Sequence, residues 1–289
     1  MEEFDYTFNK IIVLKSLGEA DTFADDLYYN TIVPCSEKVG LEKEKIDLYD
    51  KKDWKDAIAR ICNDEYNHPL LHFEMHGDAK KGIKLRLGDY IPWPEFIEAM
   101  RKVNVRSGMN LIITMATCFS VQTAFNIKMY NQAAPYLISL TSRDEEIMPE
   151  ITYAMYTIFF EELITTGCLY HALKRVENER PDLPNFFVFL TVPTLFEDVW
   201  RKMPELYSSG DEVVHHFFQS FPEYQATVIQ KDITSEEFES YKEGFVKGCN
   251  ADTFNAIYSR CRDIFFLYDE CPENRRRFKL PNTICDFSD

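Results

Sequence analysis

Residues 70–118 contain the pattern from which the fold class is predicted, and they read LLHFEMHGDAKKGIKLRLGDYIPWPEFIEAMRKVNVRSGMNLIITMATC. It opens and closes with apolar runs at residues 70–75 and 110–116, which predict β-strands, and the second run is apolar on both faces. Between them, the alternation and the Gly-Asp turn of residues 82–91 predict a hairpin. A helix is predicted from Trp93 onward, because apolar residues then recur at helical spacing. Two strands joined through a helix indicate a parallel sheet.

Further apolar runs extend this sheet on both sides. Helical patterns separate most of them, so the chain is predicted to be an α/β protein with a mostly parallel six-stranded sheet flanked by helices. The additional strands are predicted at residues 10–14, 46–49, 135–141 and 185–192. The helices of this half are predicted at residues 19–38, from an N-cap at Asp53, at residues 121–132, and at residues 147–166 before Gly167.

The pattern changes at Pro193, after which no further strand is predicted. Residues 1–192 are therefore predicted to form the core, and residues 193–289 a helical extension packed on it. Packing is expected because an apolar stripe in the extension must be buried. Its helices are predicted at residues 195–207, 211–229, 235–248 and 252–267, and its stripe comprises Phe217, Phe218, Phe221 and Tyr224.

Composition narrows the possible partners and the compartment. The 289 residues include 32 Lys and Arg against 48 Asp and Glu, a net charge of −16, which disfavours binding to nucleic acids and anionic membranes. The first residues do not resemble a secretory signal, and no run of ~18 apolar residues occurs. The eight cysteines form no CxxC pair, which favours free thiols and a cytoplasmic location.

Two reactive side chains follow the neighbouring central strands. His76 comes after the strand at residues 70–75, and Cys118 after the strand at residues 110–116. Adjacent strands lie ~4.8 Å apart, so these side chains are expected to meet at the carboxyl edge of the sheet. A thiolate is a nucleophile and an imidazole can exchange its proton, while the backbone N–H groups of Gly77 and Cys118 are candidate oxyanion donors.

The order strand, His-Gly, hairpin, helix, strand, Cys resembles the caspase-like fold of clan CD cysteine peptidases. The amino-acid sequence around His76 and Cys118 is similar to that of the bacterial CHAT-like or prokaryotic caspase-like branch, and the resemblance covers about residues 8–192. The resemblance implies a cysteine endopeptidase with a Cys118–His76 dyad and an oxyanion hole formed by the Gly77 and Cys118 amides. It implies a protein substrate and no metal or cofactor. Bacterial relatives commonly act in antiviral or stress defence, so a regulatory partner or effector complex is also implied.

The substrate preference stays open at this point. The candidate pocket residues are Asp78, Ser142, Arg143 and Asp144. Arg143 would favour an acidic substrate side chain, whereas Asp144 or Glu145 would favour a basic one. A second hypothesis keeps the fold without the activity: a catalytically silent caspase-like interaction module whose helical extension binds a partner.

Other candidates carry weaker signals. His72 lies inside a strand and is predicted to be a core histidine. Cys168 and His171 have no second ligand pair, and the adjacent histidines at 215 and 216 diverge on a helix, so no metal site is expected. The basic run at residues 275–277 is predicted to be a solvated or ion-paired face. The sequence contains no GxGxxG, P-loop or GxSxG, which argues against a dinucleotide-binding enzyme and a serine hydrolase.

Overall fold

The computed structural model describes residues 5–64, 68–129, 131–142, 148–183, 186–208 and 251–283. The chain divides into two compact units. The first comprises Met1–Ile127 and Pro135–Thr191, and the second comprises Lys128–Ala134 and Val192–Asp289. The packing of the extension on the core stays a prediction. The helices predicted at residues 211–229 and 235–248, with the stripe from Phe217 to Tyr224, lie outside the described residues.

A mixed sheet forms the centre of the first unit. Its six main strands run in the order β2-β1-β3-β6-β7-β8, and all are parallel except β8, which is antiparallel to β7. The α/β architecture with a mostly parallel sheet flanked by helices is therefore as predicted. The strands are β1 Lys10–Ser16, β2 Glu42–Asp47, β3 Pro69–Asp78, β6 Ile112–Ala116, β7 Ile138–Ser142 and β8 Phe187–Thr191.

A small hairpin stands at the carboxyl end of β3. It consists of β4 (Gly82–Lys84) and β5 (Tyr90–Ile91), as the alternation predicts, and β4 also pairs antiparallel with the last residues of β3. The prediction that β3 ends at residue 75 is therefore wrong. The strand continues to Asp78 because the hairpin supplies hydrogen-bond partners beyond the edge of the main sheet.

Helices cover the sheet and build the second unit. A π-helical turn at Tyr28–Ile32 joins α1 (Phe23–Leu27) to α2 (Val33–Val39). Helix α6 (Pro149–Thr166) is capped by Gly167, as predicted, and the φ of 67° at this glycine is left-handed. The helices of the first unit are α1 Phe23–Leu27, α2 Val33–Val39, α3 Lys51–Asn63, α4 Trp93–Arg106, α5 Gln122–Phe125, α6 Pro149–Thr166 and α7 Leu169–Glu179. Those of the second unit are α8 Val192–Ser208, α9 Ala251–Phe265 and α10 Asn274–Arg277.

Several predicted boundaries are wrong for local reasons. Asp50, rather than Asp53, caps α3, because its carboxylate accepts hydrogen bonds from the amides of Lys52 and Asp53. The helix predicted at residues 121–132 is only the single turn of α5. Its later residues belong to the second unit, in which the Ala134 amide bonds to the carbonyl of Phe265. Helix α7 was not predicted.

The two faces of the sheet differ in chemistry. On one face, the ring of Phe73 packs against the rings of Trp54 in α3 and Phe96 in α4. Alternation turns its neighbour His72 to the opposite face, where Tyr156 and Phe160 of α6 contact the imidazole. An apolar layer therefore supports β3 from one side and a partly polar layer from the other.

An ion cluster lies on the polar face beside β1 and β2. Lys15 Nζ is 2.6 Å from a carboxylate oxygen of Asp25, and Lys45 bonds to the other oxygen of the same carboxylate. Partial burial by itself would raise the pKa of Asp25. The hydrogen bonds from the two lysines outweigh that effect and hold its pKa below the usual value. The cluster joins α1 to β1 and β2.

This cluster is expected to stabilise the protein in a pH-dependent manner. A carboxyl whose pKa is lower in the folded chain stabilises the fold above its unfolded pKa of about 3.8, and that contribution disappears as the pH falls through the folded pKa. Asp25→Asn should therefore lower the free energy of unfolding near neutral pH and cost progressively less below about pH 4. Urea unfolding of both proteins across this range measures the difference. A difference that does not change with pH would contradict the ionic role.

Candidate functional site

The His-Gly pair, at the end of β3, and Cys118, in the turn after β6, lie at the same level of the sheet. The last parallel pair between β3 and β6 joins Glu74 to Ala116, and His76 and Cys118 each come two residues later. His76 is exposed and is still part of β3, where it pairs with Lys84, so it does not follow the strand as the sequence indicated. Cys118 is half-buried in the turn after β6.

Gly77 makes the closest contact between these two segments. A Cβ atom at this position would lie 2.0 Å from the carbonyl oxygen of Cys118 and 2.9 Å from Cγ2 of Thr117. Only glycine allows the two backbones to approach so closely. The contact holds the His-Gly segment against the cysteine turn.

The turn after Cys118 has an unusual backbone conformation. Phe119 has a φ of 58°, in the left-handed region that costs a non-glycine residue roughly 1–2 kcal/mol. Its carbonyl accepts a hydrogen bond from the Gln122 amide, and the buried Thr123 hydroxyl donates to the carbonyl of Ser120 at 2.8 Å. These bonds keep the chain turning sharply away from the sheet directly after the cysteine.

A buried polar pair lies beneath the site on β3. His72 is fully buried, as predicted, with Nδ1 2.8 Å from Oγ1 of Thr114 and Nε2 2.8 Å from Oε1 of Glu74. Burial, with the nearby charge of Glu74 as a further cause, holds the pKa of Tyr156 well above its usual value. Glu74 was not among the site residues predicted from the sequence. The spacing of His72, Glu74 and His76, which puts all three side chains on one face of a strand, could have indicated it.

The structure places two of the four predicted pocket residues. Asp78 forms a turn: its carboxylate accepts hydrogen bonds from the amides of Lys81 and Lys80, and these bonds lower its pKa. The indole of Trp93 donates to its carbonyl at 3.1 Å, which ties α4 to the hairpin. Ser142 is the last residue of β7, opposite Phe187. Arg143 and Asp144 lie outside the described residues.

The remaining candidates do not add to the site. Within the described ranges, no group of three or more His, Cys, Asp or Glu side chains is arranged to hold a metal ion. Arg275 forms ion pairs with Asp263 and Asp269, as expected for an ion-paired face. A groove beside the first residues of β1 and β2 has mixed charge and lies at the amino edge of the sheet, away from His76 and Cys118. No helix in the described part of the chain is long and apolar enough to span a membrane.

No protein-family model matches the chain, and no curated protein is significantly similar to it in sequence. Conclusions about function therefore rest on the chemistry of the site itself.

Proposed function

We propose that this chain is a cysteine endopeptidase with a caspase-like fold, in which Cys118 is the nucleophile and His76 transfers the proton. The observation that carries the proposal is the contact between Gly77 and the backbone of Cys118. It supports a site in which an imidazole and a thiol share one edge of the sheet, where α/β proteins commonly bind their ligands.

The reaction proceeds in two halves. In the first, His76 takes the Cys118 proton, and the thiolate attacks the carbonyl carbon of the scissile peptide bond. The tetrahedral intermediate collapses, the C–N bond breaks, and the leaving amine takes the proton from His76. In the second half, His76 accepts a proton from water, and the hydroxide attacks the thioester. The C–S bond then breaks, which releases the carboxylic acid and regenerates the thiol and imidazole.

The backbone supplies the groups that stabilise the oxyanion. We assign this role to the N–H groups of Gly77 and Cys118, because their segments are in contact beside the thiol. The sharp turn at Phe119 directs the chain away from the sulfur.

The substrate is proposed to be a protein, and the activity to be controlled by a partner or effector complex. The sequence resemblance to bacterial defence proteases supports this part of the proposal. One alternative is a catalytically silent caspase-like interaction module. The exposure of His76, which pairs with Lys84 of the hairpin, fits this alternative.

Selective thiol chemistry is the expected sign of the dyad. Cys118 should react with iodoacetamide near neutral pH faster than the other thiols, since an adjacent imidazole can accept its proton. Burial raises the pKa of Cys261 to about 12 and also raises those of Cys62 and Cys35, so these thiols should react slowly. Site-resolved mass spectrometry measures each rate.

Two variants serve as a matched pair in this assay. His76→Ala should slow labelling of Cys118, whereas His171→Ala, at an exposed histidine of α7, should leave it unchanged. A proteome-wide cleavage screen comparing the wild type with Cys118→Ala then shows whether the reactive thiol cuts peptide bonds. Labelling of Cys118 that does not depend on His76, together with identical cleavage patterns, would favour the silent module.

A further inference from the structure

The hairpin carries a row of side chains across its exposed face. Antiparallel pairing puts Lys84 of β4 directly opposite His76 on one side and opposite Tyr90 of β5 on the other. Residues paired in this way point to the same face of a sheet, with Cβ atoms about 5 Å apart. His76 and Lys84 are exposed and Tyr90 is half-buried, whereas Ile83 and Ile91, in the next row, are buried. One face of the hairpin thus presents an imidazole, an ammonium group and a phenol ring.

The row extends from His76 in the direction away from the cysteine turn. The Arg86 amide donates a hydrogen bond to the Ser16 hydroxyl at the end of β1, so the hairpin lies on the side of β3 that faces β1. Cys118 follows β6, which is the neighbour of β3 on the opposite side. In the order of the strands, His76 therefore lies between the cysteine segment and Lys84.

The ammonium group of Lys84 has no anionic partner in the structure. No ion pair of the described residues involves it, and its two cross-strand neighbours are the imidazole and the phenol. Two other charges of the hairpin are engaged: the Asp78 carboxylate accepts hydrogen bonds from two backbone amides of the turn, and Arg86 pairs with Glu19 at 2.8 Å. Residues 78–91 contain four basic and two acidic side chains, whereas the whole chain has a net charge of −16. The hairpin is therefore a positively charged surface on an acidic protein.

The chemistry of peptide cleavage decides which part of a substrate would meet this row. In the proposed mechanism His76 gives its proton to the leaving amine, so the residues after the scissile bond must lie beside the imidazole. Lys84 comes next in the row and then Tyr90, whose ring centre is 5.3 Å from the Lys81 ammonium. A carboxylate on the leaving side of the substrate would thus meet two ammonium groups.

We propose that Lys84, together with Lys81, selects substrates that carry aspartate or glutamate among the first residues after the scissile bond. This inference rests on the proposed peptidase function. Two strand spacings separate His76 from Tyr90, about 10 Å in all, which an extended peptide covers in about three residues. The residue that carries the scissile carbonyl is held by the thiol and the oxyanion donors, so it lies outside this subsite.

Sequencing of the new amino termini in a proteome digest tests the inference, because each terminus begins with the residue after the cut. In about the first three positions, the wild type should enrich Asp and Glu about threefold, the scale of an exposed ion pair. Lys84→Glu should remove this enrichment and favour Lys and Arg instead. Lys38→Glu, at an exposed lysine of α2 near the amino edge of the sheet, is the control that should retain it. Sodium chloride at about 0.5 M should weaken the wild-type enrichment.

A second measurement does not require cleavage. Iodoacetate and iodoacetamide alkylate the same thiol, but only iodoacetate is an anion that a nearby ammonium group attracts. At an ionic strength of ~10 mM, the ratio of their rates at Cys118 should fall about two- to threefold in Lys84→Glu and stay unchanged in Lys38→Glu.

The outcomes separate this inference from the peptidase proposal. If the wild type cuts peptide bonds without enriching acidic residues, or if the ratio of the two alkylation rates does not respond to Lys84→Glu, the inference is overturned and the peptidase proposal stands. If the wild type cuts no more than Cys118→Ala does, the peptidase proposal fails, and the inference fails with it.

Discussion

Gly77→Ala is expected to lower the free energy of unfolding by roughly 2–4 kcal/mol, at or above the upper end of the usual cost of overpacking. The added methyl group would lie 2.0 Å from the Cys118 carbonyl oxygen, so one of the two backbone segments must move. A backbone carbonyl cannot rotate away as a long side chain can, and this is why a large effect is expected. Equilibrium urea unfolding measures the change.

Gly18→Ala is the matched control, because a Cβ at Gly18 would meet no atom within 4 Å. Its effect should stay within about 0.5 kcal/mol, as is usual for surface substitutions. The two variants should also differ in the reactivity of the Cys118 thiol. Gly77→Ala should slow iodoacetamide labelling of Cys118 under native conditions, since it separates the His-Gly segment from the cysteine turn. Equal stability and equal labelling of both variants would show that the close contact does not exist in solution.

His72→Ala is expected to destabilise the protein by about 3–5 kcal/mol, the range for truncating a large buried ring to alanine. The substitution removes a fully buried ring that contacts Tyr156 and Phe160, and it leaves the Glu74 carboxylate without its hydrogen bond. His171→Ala, at an exposed position, should change stability by less than about 0.5 kcal/mol. Urea unfolding of the two variants gives the comparison.

A third variant separates charge from packing in this pair. Adding Glu74→Leu to His72→Ala should recover part of the lost stability, because it removes the carboxylate that has lost its partner. If His72→Ala lowers stability no more than His171→Ala does, the buried hydrogen bonds of His72 to Thr114 and Glu74 do not form in solution. If the double variant is as unstable as the sum of the single changes, the cost of His72→Ala comes from lost ring packing and not from the charge.

Strands were predicted correctly where the local hydrophobic pattern of the sequence was strong. The apolar run before Cys118 and the alternation at residues 82–91 led directly to β6 and the hairpin. Prediction failed where the sequence offered two similar choices. Asp50 and Asp53 are both good capping residues, and in the structure Asp50 has the extended backbone of an N-cap, whereas the Asp53 carboxylate accepts a hydrogen bond from the Tyr49 amide. The described residues between 128 and 134 are not helical, and this segment groups with the second unit.

Apolar periodicity and chain order are local properties of the chain, and they were enough to predict that an imidazole and a thiol lie near the carboxyl ends of two central strands. Which residues of those strands stand side by side depends on contacts between distant parts of the chain. The register between β3 and β6 places Glu74 beside Ala116, and the pairing of β3 with the hairpin accompanies the contact between Gly77 and Cys118. Register arises from side-chain packing across strands, and a shift of one residue would turn every side chain to the other face without changing the periodicity of the sequence.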